Sequence, residues 1–84
     1  MLRLHGVTLT PQDAENLATR LREEGSSPTS VATADLIQRA VRLQFDSVTL
    51  TPSQSAAIIA VLNEPLGRTL DALRDKLTRD LERS

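Results

Sequence analysis

Val7-Thr8-Leu9-Thr10-Pro11 and Val48-Thr49-Leu50-Thr51-Pro52 are the same five residues, 41 positions apart in a chain of 84. Each segment alternates and is β-branched at three of its first four positions, the pattern of a half-buried strand. Each then stops at Thr-Pro. Threonine accepts from the free N–H groups of a helix start, and proline suits the first helical position because its missing N–H had no partner there. Thr51 with Gln54 has the spacing of a reciprocal capping box, and Thr10 with Asp13 is a weaker version of it. The likeness extends at the same offset: Leu2 with Leu43, Leu4 with Phe45, Gly6 with Ser47, Leu17 with Ile58, Leu21 with Leu62 and Glu23 with Glu64. Two pseudo-repeats, residues 1–42 and 43–84, are therefore expected within one domain.

The helices follow from apolar periodicity. The first is expected from Pro11 to Glu24, with Ala14, Leu17, Ala18 and Leu21 as its buried stripe and Gly25 ending it at positive φ. The second runs from Thr29 or Ser30 to Arg42 or Leu43 on a stripe of Leu36, Ile37, Ala40 and Val41, with Ala32 one turn earlier. The third runs from Pro52 to Asn63 and is broken at Asn63-Glu64-Pro65. The last runs from Leu66 to Glu82 on Leu66, Leu70, Leu73, Leu77 and Leu81. Upstream of each VTLT the alternation changes phase, Leu2 and Leu4 against Val7 and Leu9. Either a bulge at Gly6 and Ser47 exchanges faces, or the earlier pair lies outside the strand.

The expected fold class is α+β, mostly α: a duplicated β-α-α unit whose two strands pair as a short antiparallel ribbon on four helices. A lone strand is not stable, so the two VTLT segments are expected to pair with each other. Val7-Thr8-Leu9-Thr10-Pro11, the helix end at Glu24-Gly25 and the segment Asp35-Leu36-Ile37-Gln38-Arg39-Ala40-Val41 resemble the ribbon-helix-helix family in a single-chain form. That resemblance implies a DNA-binding repressor or antitoxin, with Arg3, Thr8 and Thr49 of the ribbon against DNA. The chain departs from the family in its longer inter-helix loop. It also lacks the basic or carboxamide side chains that base readout uses, carrying Leu4, Gly6 and Thr8, and Phe45, Ser47 and Thr49, in those places.

Composition narrows the chemistry. The net charge is −1, with no basic surplus to demand nucleic acid. There is no Cys and a single His, which rules out thiol chemistry and His–His or His–Cys metal pairs; serine is plentiful, but a nucleophile needs a base and an orienting partner in reach, and no enzyme activity, cofactor or metal is expected. No apolar run approaches the length of a membrane span, and the N-terminus has no signal-peptide pattern, so the expected setting is the cytoplasm. The core must be aliphatic, because Phe45 is the only aromatic residue.

The contrast between the first and third helices points to a binding surface. Glu15, Asn16, Thr19 and Arg20 of the first match Ala56, Ala57, Ala60 and Val61 of the third, which is apolar on nearly every side. A helix apolar all round is covered all round, by this chain or by another. Ala56, Ala57, Ala60 and Val61 are thus the candidate contacts for a protein partner or second subunit. The expected function is a non-catalytic protein-binding or self-associating regulatory or adaptor domain, ahead of the DNA-binding alternative.

Overall fold

The computed structural model describes residues 2–25, 27–62 and 67–83. In chain order these form β1 (Leu2–Leu4), β2 (Val7–Leu9), α1 (Pro11–Glu24), α2 (Pro28–Arg42), β3 (Ser47–Val48), α3 (Pro52–Val61) and α4 (Arg68–Arg83). The mostly helical α+β class is as expected. Both VTLTP segments run from strand into helix, and both threonines cap with φ −71° and ψ 161°. Thr10 Oγ1 accepts from the Asp13 N–H at 3.1 Å. Thr51 Oγ1 accepts from Gln54 N–H at 3.2 Å while Gln54 Oε1 accepts from Thr51 N–H at 2.9 Å, completing the capping box.

The sheet differs from the expected ribbon. It has three strands in the order β2-β1-β3, and the two VTLT segments do not pair with each other. β1 lies between them, antiparallel to β2 through Leu2↔Leu9, Arg3↔Thr8 and Leu4↔Val7, and parallel to β3 through Arg3↔Ser47 and Leu4↔Val48. β2 and β3 therefore run antiparallel to each other, as a ribbon would, with one strand inserted. The change of phase before Val7 is a hairpin turn and not a bulge. His5 at φ 50° and Gly6 at φ 88° form the two-residue loop whose positive dihedrals match strand twist.

The second VTLT segment builds no such hairpin. Ser47 stands where the first has Gly6, without glycine's freedom at positive φ. The residues before it finish α2 instead. Gln44 N–H donates to Val41 C=O at 3.2 Å and Phe45 N–H to Ala40 C=O at 2.9 Å, with Gln44 at φ 58°. This is a Schellman ending with glutamine in the place glycine usually takes. Gln44→Gly should therefore raise stability by about 0.5–1 kcal/mol, read from the urea midpoint; an unchanged or lower midpoint would contradict it.

Leu2, Leu4 and Leu9 of the sheet meet Ala14, Leu17, Ala18 and Leu21 of α1, Ala34, Ile37 and Ala40 of α2, Ile58, Val61 and Leu62 at α3, and Leu70, Leu73 and Leu77 of α4 in one core. α2 is turned from its expected face. Ala32 is exposed and Leu36 and Val41 are half-buried, whereas Ser30, Thr33 and Ala34 are buried. Thr33 enters the core because its hydroxyl donates to Thr29 C=O at 2.7 Å, leaving only its methyl to be packed. α3 stops at Val61 with Leu62 as its cap. The expected break at Asn63-Glu64-Pro65 and the stripe residue Leu66 lie outside the described residues.

Gly25 ends α1 for a reason other than dihedral freedom. Its φ is −77°, which any residue adopts. A side chain there would collide with Ser30 and with the Leu21 carbonyl, so glycine allows the first turn of α2 to approach the end of α1. Arg22 then joins the two helices, donating to Asp35 and to Gln38 Oε1.

Candidate functional site

Most of the apolar surface of α3 is covered by α1, α2 and α4 of its own chain. That divides the four candidate contacts. Val61 is in the core at 3% exposure, Ala57 is half-buried against it, and Ala56 and Ala60 face outward. Spacing alone placed all four on one surface, since it took no account of how many neighbouring helices one helix can meet.

The three ribbon residues do gather. Arg3 and Thr8 are cross-strand partners, both exposed, on the sheet face away from the helices. Ser47 lies beside Arg3 on the other flank, and Thr49 follows at the end of β3, also exposed. A shallow polar concavity is lined by Arg3, Thr8, Asp46 and Ser47. One guanidinium beside hydroxyls and a carboxylate makes a polar face without a basic stripe.

His5 is engaged on both ring nitrogens. Leu50 N–H donates to Nε2 at 3.1 Å, and Nδ1 lies 3.0 Å from Asp80 Oδ2. Because Nε2 accepts, Nδ1 carries the proton and donates to the carboxylate. The ring thus ties the β1–β2 turn to the start of the α3 segment and to the far end of α4. Neither nitrogen is left for a metal or a substrate. Among the described residues no group of three or more His, Asp or Glu side chains could hold a metal ion, and no helix is long and apolar enough to cross a membrane.

The hydrogen bond from His5 holds the Asp80 carboxyl below its usual value of 3.8; desolvation opposes this, and the Lys76 ammonium, 3.4 Å away, adds to the lowering. A carboxylate lowered in the folded state contributes stability that is present above the unfolded value and is lost as pH falls through the folded one. Between about pH 5 and pH 2 the urea midpoint should fall less steeply for Asp80→Asn than for the parent chain. Parallel curves would show that the pair does not contribute.

Searches of family models, curated proteins and solved structures found no match.

The residues that sequence reasoning missed are Leu43 and Phe45. They match Leu2 and Leu4, which are buried, and were read as their equivalents. In the structure Leu43 is 57% exposed and Phe45, the only aromatic, 43% exposed. Phe45 borders a groove of ≈ 370 Å³ with Leu2, Pro11, Val41, Gln44 and Asp46. The signal in the sequence was the Gly6-to-Ser47 difference, which removes the turn that would have folded Leu43 and Phe45 back into a hairpin.

Proposed function

We propose that this chain is a non-catalytic protein-binding domain, a regulatory or adaptor module that acts by associating with a protein or with itself. The observation that carries the reading is the placement of Phe45 and Leu43. The core closes without an aromatic residue, and the chain exposes 5107 Å², near the about 4,900 Å² expected of a folded monomer of its mass. The fold is thus complete without its one aromatic side chain, which stands on the surface beside Leu43. Phenylalanine is among the residues enriched in protein interfaces relative to the rest of the surface. Exposed Ala56 and Ala60 extend the choice of surface to α3. A photo-crosslinking phenylalanine analogue at position 45 tests the reading, with the same group at exposed Glu15 as control. A discrete adduct specific to position 45, formed with one identified protein or with a second copy, is expected. Equal or absent crosslinking at both positions would sink it.

A second reading keeps one observation in its favour: Arg3, Thr8 and Thr49, the residues that a DNA-binding ribbon would present, share the open face of the sheet, although β1 stands between the two strands that a ribbon-helix-helix binder would pair. Asp46 and the net charge of −1 weigh against it. Phosphate contact makes affinity fall steeply with salt, so a mobility shift with random duplex DNA at low salt is the test. No shift there removes this reading.

A further inference from the structure

We propose that two copies of this chain associate through β3, edge to edge and antiparallel, with Ser47 opposite Ser47 of the second copy. The proposal rests on the protein-binding reading above and specifies its surface and its occupant.

The argument begins with backbone groups. Among the described residues β3 pairs with β1 alone, on one side. Arg3 N–H donates to Asp46 C=O at 2.9 Å, which fixes the alternation of the parallel ladder. Asp46 C=O and Val48 N–H turn toward β1, and the N–H and C=O of Ser47 turn toward the open edge. An N–H and a C=O presented along a strand edge are matched by another extended backbone. Among the described residues the other outer strand is better guarded, because α4 packs against β2 while no helix packs comparably on β3.

The composition of this edge also favours pairing. Natural sheet edges are kept from pairing by very short strands, by charges, lysine above all, and by proline; β3 is short, at two residues, but is otherwise little protected. From Leu43 to Leu50 there is no lysine and no proline, and Asp46 is the only charge. Leu43 and Phe45, both exposed, flank the strand instead.

A second copy suits this edge. Antiparallel pairing about a twofold axis lets Ser47 of each chain exchange both of its free groups with the same residue of the other, a closed and self-complementary contact. That register sets Asp46 opposite Val48 of the second copy, so the one charge on the edge does not face itself. Phe45 then comes across from Thr49, an aromatic and β-branched pair of the kind that stabilises antiparallel strands.

Two measurements on the full chain test this: sedimentation equilibrium from about 10 µM to about 1 mM, and amide exchange of Ser47 at both ends of that range. The expected result is a mass rising from one chain to two, with Ser47 exchange slowed at least about tenfold in the associated form. Phe45→Lys, folded by circular dichroism, should weaken association at least about tenfold. Ala56→Glu with Ala60→Glu on α3 should leave it unchanged. A doubled mass with Ser47 exchange unaltered, or association lost in the α3 variant and retained in Phe45→Lys, would overturn the β3 contact while leaving the protein-binding reading intact. A mass of one chain throughout would also overturn it, and the position-45 crosslinks would then judge the broader reading on their own.

Discussion

Leu4→Ala is expected to destabilise the fold by about 2–5 kcal/mol, whereas Phe45→Ala should change it by less than about 1 kcal/mol. The two residues hold matching places before the two VTLT segments, so sequence equivalence alone would assign them equal effects. The structure separates them. Leu4 is fully buried in the middle strand of the sheet, within a core shared with all four helices. Truncating it removes apolar area from water-free surroundings and leaves a cavity that the central strand is poorly placed to close. Phe45 stands 43% exposed after the end of α2, at the rim of an open groove, where a shorter side chain leaves room for water. Urea denaturation of both variants at neutral pH makes the comparison. Equal losses would mean that Phe45 serves the core, and the case for an interface at that residue would fall with it.

His5→Ala should cost about 1–3 kcal/mol, a large effect for a residue in a two-residue turn. The cost comes from the far side of the ring. Leu50 N–H, at a residue only 5% exposed, loses the acceptor it has in Nε2. Leaving a sheltered donor unpaired is costlier than losing an ordinary exposed hydrogen bond. His5→Gly should recover part of the loss, because the backbone at φ 50° favours glycine. Nitrogen-15 spectra should find the His5 proton on Nδ1, since Nε2 is occupied as an acceptor. A His5→Ala variant within about 0.5 kcal/mol of the parent chain, or a ring protonated at Nε2 alone, would refute this account.

The helices were largely legible in the sequence because their signals are local. Thr-Pro starts and the capping box fix where α1 and α3 begin, and apolar spacing fixes the buried faces of α1 and α4, although α4 begins at Arg68, after the expected Leu66, and Leu81 of its stripe is only half-buried. α2 was harder. Its expected stripe of Ala32, Leu36, Ile37, Ala40 and Val41 left out Ser30 and Thr33, yet Thr33 satisfies its hydroxyl on its own helix and turns inward. Strand pairing was the main loss. Two identical strands with no other partner in view point to each other, and a three-residue strand such as Leu2–Leu4 carries too little pattern to announce itself. The turn that creates it was visible as His5-Gly6, and its absence downstream as Asp46-Ser47. The same difference explains why Leu43 and Phe45 escaped notice as surface residues. For α3 the composition was informative and its partner was not: an apolar helix needs covering, but which helices do so depends on the tertiary arrangement.

The position of β1 also bears on the order in which the molecule assembles. The middle strand of the sheet precedes the other two in the chain, while its parallel neighbour, β3, lies beyond two complete helices, with just over half the sequence between Arg3 and Ser47. The β1–β2 hairpin and the α1–α2 pair need only short loops to close, whereas β3 must find its place across a long one, and long closures are slow. In pulse-labelled refolding the amides of α1 and α2 should gain protection before that of Val48. The sheet would then be sealed late, and a nascent or partly folded chain would present β1 with one side still vacant.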